Sequence, residues 1–352
     1  MVGERLSLIR LATDHDREKW DAFVITQEHS GPYHHFAWKQ AVEVAYNHRG
    51  YYLIYEDNDH IKGVLPLVLV KPPLTRGSLV SLPFCDYGGV LASDQEVVHT
   101  LLHTAFDLAS TLKTRIILRY LHPEVALNSH LNMDVNMQKV RMVLGLPNDS
   151  EALWNSFKSK LRSQIKKPQK EGLEFKLGDI DCLRDFYTIF RHNMRELGSP
   201  VHSYRWLSSV VEAYGKNARV GVVYKGALPV ASGIILASHD MLSIPWASSL
   251  SEFNKLSPNM LLYWGLLRYA CDNGFKFFDF GRSTTDEGTY KFKQQWGALP
   301  TPLYWYEESR VTHFAKAPLE RNSRVMAAWA WSRLPQVITD ALGPIVRQYI
   351  TL

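Results

Sequence analysis

The chain has 352 residues, of which 46% are hydrophobic, 12% aromatic and 21% charged, with a formal net charge of +5. That length exceeds one ordinary hydrophobic core, and the composition is that of a globular protein with enough apolar material for two. The mild basic excess permits an anionic partner without requiring one. No apolar run is long enough to span a bilayer, and residues 1–20 carry charges throughout, unlike a signal peptide, so a cytoplasmic location is expected. Cys85, Cys182 and Cys271 lie far apart without a CxxC spacing, which argues against a disulfide framework or a zinc site.

In chain order, the pattern predicts a helix over 16–26, a break at Ser30-Gly31-Pro32, and an aromatic helix through Tyr33, Phe36 and Trp38. Two β-rich runs, 51–55 and 61–70, flank the polar turn Asp57-Asn58-Asp59-His60 and predict a hairpin. The run 79–84 leads to Asp86-Tyr87-Gly88-Gly89, whose paired glycines predict a tight turn or a close backbone approach. A helix over 97–112 precedes strands over 115–120 and 140–146. Pro147-Asn148-Asp149 then breaks the chain, which sets a first domain at 1–147 and a second at 148–310.

The second domain opens with one helix whose stripe is Leu153, Trp154, Phe157, Leu161 and Ile165, and Pro168 is expected to stop it. Its other face holds Lys158, Lys160, Arg162, Lys166 and Lys167, either a solvated basic face or a phosphate-binding ridge. Helices over 182–197 and 205–214, a hairpin over 219–224 and 229–237, and a strand over 241–247 follow. Ser257-Pro258-Asn259 predicts a helix start, with Ser257 as N-cap and Gly274 just past the end. The two halves share a similar order of elements, as two copies of one mixed α/β unit would. The basic amphipathic tail, 311–352, carries Arg321, Arg324, Arg333 and Arg347 against Asp340. With Trp329 and Trp331 it suits either a membrane surface or packing across the two domains.

The stretch 275–306 concentrates polar groups behind an aromatic strand. Residues 275–280 read as a buried strand ending in a Gly281-Arg282 turn. Asp286, Glu287, Tyr290, Lys291, Phe292, Lys293 and Trp296 follow within a short span. Such an arrangement builds a polar site on a rigid edge, or is simply a core strand followed by a solvated loop. No P-loop, dinucleotide GxGxxG, HExxH or GxSxG motif is present, and the adjacent His34 and His35 diverge too much to share a metal.

Several motifs in order carry a family resemblance. They are Lys160-Leu161-Arg162-Ser163-Gln164-Ile165 with Lys167-Pro168, Met194 through Pro200, Ile244-Pro245-Trp246-Ala247-Ser248-Ser249, Pro258 through Trp264, and the stretch 275–306. Ser81-Leu82-Pro83-Phe84 with Tyr87-Gly88-Gly89 matches in the first half. Up to about Glu308 the chain resembles the FemAB-type transferases, and more narrowly the FemAB-like proteins that accompany exosortase/PEP-CTERM exopolysaccharide systems.

The resemblance implies an α/β (α+β) chain of two tandem GNAT-like (acyl-CoA N-acyltransferase) domains with mixed central sheets. It implies acyl transfer to an amine, classically of an amino acid from aminoacyl-tRNA to a cell-wall precursor peptide. No cofactor would be tightly bound, the donor being aminoacyl-tRNA or acyl-CoA. The expected partners are a phosphorylated envelope precursor, the acyl donor and a tRNA acceptor end. Lys293 matches the lysine of the family's FK motif and is the first candidate for oxyanion or phosphate stabilisation. Tyr290 is the expected positioning hydroxyl and Asp279 or Glu287 the base, while Arg282 could fork onto a carboxylate or phosphate. Lys291, Phe292, Trp246, Tyr87, Lys160, Arg162 and Asn259 complete the expected substrate-binding set. Asp279 could equally serve as an ion-pair partner of Arg282, and Lys291 could be solvated. The chain departs from acyl-CoA-using members of the fold at residues 253–259, where no glycine-rich turn occurs and Pro258 removes one N–H donor. The alternatives are an acyl-CoA-dependent N-acetyltransferase and a non-catalytic binding module of an exopolysaccharide system.

Overall fold

The computed structural model describes residues 7–129, 133–308 and 318–352. It divides into two units: Met1–Arg141 with Thr301–Val311 and Tyr349–Leu352, and Met142–Pro300 with Thr312–Gln348. The chain thus returns to the first unit twice after leaving it, and the tail is shared rather than separate. The boundary expected at 310 falls in 309–317, and it lies outside the described residues, as do the side chains of Arg321 and Arg324.

The first unit begins with β1 (Ser7–Leu11), α1 (Arg17–Val24) and α2 (Phe36–Tyr46), then β2 (Arg49–Gly50). The expected aromatic helix is divided, Tyr33 lying on a separate 3-10 turn before α2. β3 (Leu53–Asp57) and β4 (His60–Leu65) form the predicted hairpin, but the run 61–70 does not stay in one sheet. Beyond Pro66, β5 (Val68–Val70) pairs with β6 (Ser78–Val80) in a second sheet, because proline cannot continue the ladder. β7 (Leu91–Ala92), α3 (Gln95–Thr111), β8 (Arg115–Tyr120) and β9 (Met133–Asn136) follow. Asp94 caps α3 by accepting from the Val97 N–H at 3.0 Å, and Leu101, Leu102 and Ala105 bury its stripe against Leu53, Leu65 and Leu118.

The 81–89 loop is held by a buried cation. Leu82 and Phe84 adopt left-handed backbones (φ 64° and 68°), which cost free energy for such side chains. The Arg119 guanidinium donates to the carbonyls of Leu82 (3.0 Å), Cys85 (2.9 Å) and Thr351 (2.9 Å), satisfying them inside the fold. Gly88 and Gly89 are there for close approach: a Cβ would meet the Leu82 side chain at 2.6 Å and the Tyr120 ring at 2.4 Å respectively.

The second unit runs β10 (Lys139–Gly145), α4 (Ser150–Ser156), α5 (Ser159–Lys170), β11 (Leu173–Gly178), α6 (Leu183–Glu196) and α7 (Tyr204–Tyr214). Then come β12 (Ala218–Lys225), β13 (Leu228–Ser238), β14 (Met241–Ser249), α8 (Pro258–Asp272), β15 (Phe277–Thr284), α9 (Gly288–Gln294) and β16 (Leu299–Pro302). They form a mixed sheet in the order β11-β12-β13-β14-β15-β10-β16. α8 seats closely on it, since the Phe175 ring occupies the space that a Cβ on Gly221 or Gly265 would need. β17 (Tyr304–Glu308) goes back to the first unit, between β8 and β9 in a sheet ordered β2-β5-β6-β8-β17-β9. α10 (Pro318–Arg333) and α11 (Gln336–Arg347) pack on α6. Among the described residues no helix is long and apolar enough to cross a membrane.

Each unit buries a histidine. Burial lowers His34 to about 3 and pushes His202 well below its ordinary value, so both stay neutral in the fold. The unfolded chain binds those protons near pH 6.5. Stability from the neutral folded forms is therefore complete above that pH and lost as pH falls toward the folded values. Urea unfolding should weaken by about 1.4 kcal/mol per pH unit per histidine between roughly pH 6 and 4. His34→Asn and His202→Asn should each flatten that slope.

Candidate active site

The centre of the second unit is a parallel pair that separates. β14 and β15 pair only at Met241–Ser243 with Phe277–Asp279, and the rest of each strand runs on without the other. On its other side β14 pairs Ser243 with Leu236 and Trp246 with Ile234, so Ile244 and Pro245 together oppose Ile235. This is a β-bulge, and Pro245 marks it, because an imide within a central strand has no N–H to give the ladder. The bulge sets what lies on each face beyond it. Ser248 accepts from Asn193 of α6 at 3.0 Å, and Trp246 packs with Trp206 of α7 at 6.3 Å. Ser249 accepts from Asn259 of α8, also at 3.0 Å. Trp246, expected to touch substrate, is thus 8% exposed within the packing of β14 on α7.

Asn259 ties the start of α8 to the end of β14. Ser257 takes a left-handed backbone (φ 58°), and its side chain makes no capping bond, contrary to the N-cap expected of it. Pro258 does occupy the first helical turn. Lys167 of α5 donates to the Lys255 carbonyl at 2.5 Å, fixing the turn that precedes α8.

β15 continues through Gly281 and Arg282 to Thr284, where a turn was expected, but it bends at Gly281 (φ 73°). Asp279, 1% exposed, accepts from the Gly281 N–H at 2.8 Å, and Ser243 lies 3.4 Å from its other oxygen. Lys293, 8% exposed, donates to the Arg282 carbonyl at 2.7 Å and the Gly281 carbonyl at 3.1 Å. Asp279 and Lys293 therefore hold the same bend through its N–H and its carbonyls. On α9, Tyr290 and Phe292 are half-buried and Lys291 is exposed, while Glu287 is exposed just before its first residue.

A stack of rings links this bend to a cavity. Tyr263 of α8 lies parallel to Phe280 at 5.4 Å, and it touches Phe292 (5.0 Å) and Trp296 (6.3 Å). Burial raises the Tyr263 hydroxyl above its ordinary pKa, so it stays protonated at neutral pH. Trp296 meets Phe157 at 5.6 Å, and Phe157 is where the expected single helix divides into α4 and α5. Turning inward there, Phe157 leaves Lys158 at the start of α5 and Lys160 in its first turn. Both line a cavity of about 720 Å³ with Gln164, Gln294, Gln295 and Trp296. Pro168 does not stop α5, which continues to Lys170.

The basic face of α5 is thus divided by role. Lys160 faces the cavity, Arg162 is half-exposed, Lys166 sits 5.5 Å over the Trp154 ring, and Lys167 holds the α8 turn. Tyr87 lies in the first unit, 1% exposed, with the Arg141 guanidinium 4.8 Å over its ring. The sequence reading had Lys158 on its candidate phosphate-binding ridge and Gln164 in a resemblance motif, but it missed Gln294 and Gln295 and gave Pro245 no structural role. A proline inside a strand and serines on both sides of Phe157 were the available signals. Among the described residues no group of three or more His, Cys, Asp or Glu side chains could hold a metal.

Residues 155–294 match the family model of the acetyltransferase (GNAT) domain, and the structure is similar along most of its length to several solved ones. FemX matches with a TM-score of 0.68 at 14% identity, covering 90% of this chain and 100% of that one. The L-PGS of Bacillus licheniformis matches with a TM-score of 0.57 at 12% identity, covering 91% and 98%. A tandem GNAT protein from the clavulanic acid biosynthesis pathway matches with 0.56 at 9% identity, covering 88% and 100%. No curated protein matches the sequence. The fold is that of two tandem acetyltransferase-like domains with mixed sheets, as the resemblance implied.

Lys293 has a structural duty whatever its chemical one. Lys293→Ala removes two charge-assisted bonds to backbone carbonyls of the half-buried Gly281–Arg282 bend and should cost about 2 kcal/mol in urea unfolding. An activity loss in that variant is informative only at a temperature where it remains folded.

Proposed function

We propose that the chain is a FemAB-type transferase that moves an acyl or aminoacyl group onto an amine of a cell-envelope or exopolysaccharide precursor, with the second unit as the reacting domain. The observation that carries this reading is the separation of β14 from β15 beside the α8 N-terminus. Two strands that part leave an opening between them whose edges an extended ligand can line. The bend held by Asp279 and Lys293 lies at one side of that opening, and the cavity with Lys158 and Lys160 supplies cations for a phosphorylated ligand.

Transfer requires the amine nitrogen to attack the acyl carbonyl and lose a proton, while the C–O or C–S bond to the donor breaks and the leaving group is protonated. Asp279 or Glu287 would accept the proton, and Lys293 would stabilise the developing oxyanion. Tyr290 would position the substrate. The missing glycine-rich turn at 253–259, with Pro258 in the first turn of α8, favours aminoacyl-tRNA over acyl-CoA as donor.

Isothermal titration with coenzyme A, with acyl-CoA and with aminoacyl-tRNA should yield binding to the last alone. Lys158→Ala with Lys160→Ala should weaken binding of the phosphorylated ligand about tenfold or more and reduce its salt dependence. Binding to acyl-CoA alone would move the assignment to an acyl-CoA-dependent acetyltransferase. Absence of transfer from either donor to any envelope amine would overturn the enzyme reading.

A further inference from the structure

α11 is amphipathic with its apolar side outward. Its inner side is polar or small: Asp340 bonds Arg191 of α6 at 2.5 Å, Gln336 donates to the Arg191 carbonyl at 3.2 Å, and Thr339 and Gly343 are buried. A Cβ on Gly343 would stand 3.0 Å from the Val201 backbone nitrogen, so the helix lies close against its support. The outer side presents Val337 (80% exposed), Ile338, Leu342, Ile345 (58%) and Val346. α10 adds Val325, Met326 and Trp329, each more than half exposed. In a folded protein, exposed apolar residues gathered along one side of a helix mark an interaction surface.

We infer that this face docks on an anionic phospholipid bilayer, with α11 lying in the plane of the interface. Three features favour lipid. The outward residues of α11 are aliphatic, with no hydrogen-bonding side chain for a protein partner to read. Cations stand on the neighbouring helices: Arg333 stacks 3.8 Å from the Trp329 ring, and the exposed Arg184 of α6 lines a hollow of about 430 Å³ with Tyr187, Thr188 and Tyr204. The one acid of α11, Asp340, is held by Arg191, so the same helix of a second copy would bring no free acid to Arg184 or Arg333. At 12 residues α11 is too short to span a bilayer but long enough to lie on one, and cations flanking an apolar face with a tryptophan suit head groups above acyl chains. The inference is independent of the transferase reading.

The test is co-sedimentation of the full chain with vesicles of phosphatidylcholine, alone or mixed with phosphatidylglycerol. Wild type should bind the mixed vesicles strongly, and binding should weaken as salt rises. Leu342→Glu with Ile345→Glu should lower the bound fraction about tenfold or more, with circular dichroism and thermal midpoint unchanged because both positions face solvent. Arg184→Ala should reduce binding to mixed vesicles only, removing part of the preference for phosphatidylglycerol. The proposal is overturned if wild type stays in the supernatant with mixed vesicles. It is also overturned if light scattering finds a dimer that the double glutamate variant dissolves while vesicle binding is absent.

Discussion

The three-position ladder between β14 and β15 is the constraint on which the second unit depends. A parallel pair normally continues, since each added rung pairs another N–H and C=O. Here two local features stop it: Pro245 bulges one strand, and Gly281 bends the other. Neither deviation would persist unsupported. The bulge is covered by α6 and α7 through Ser248 and Trp246, and the bend is gripped by Asp279 through an N–H and by Lys293 through two carbonyls.

From that seam the ring contacts run outward in one direction. Phe280 stacks on Tyr263, Tyr263 touches Trp296, and Trp296 touches Phe157, so the strand bend, α8, the end of α9 and the break between α4 and α5 are parts of one packing problem. The lysines at the cavity are where they are because Phe157 turns inward. Substituting a ring in this chain should therefore be felt in packing and in cavity shape together. The first unit uses the same device as the bend, a buried cation on backbone carbonyls, where Arg119 supports a loop with left-handed residues.

The tail illustrates how far a pattern can be read. Its amphipathic character was evident, as were two destinations for it, a membrane surface or packing across domains. The structure puts the polar side of α11 on α6 and leaves the aliphatic side outward, an orientation opposite to that of a helix serving a globular core. Hydrophobic periodicity reports that two faces differ. It does not report which face will be covered.

By itself, the sequence determined most element types, the hairpin turns, the aromatic strand through Phe278 and Phe280, and that Gly88-Gly89 serves either a tight turn or a close approach. These follow from local physics: side-chain period, proline's missing N–H, and the space that a Cβ takes. The resemblance added the tandem fold and the roles expected of the polar stretch after β15. Only the tertiary structure decided that Trp246 faces α7, that one expected helix is two, that β17 returns to the first unit, that Lys293 turns back onto the Gly281–Arg282 bend, and that Arg119 serves carbonyls far from it in sequence. Those outcomes depend on which distant group reaches a buried carbonyl or ring first, and no local spacing encodes that competition.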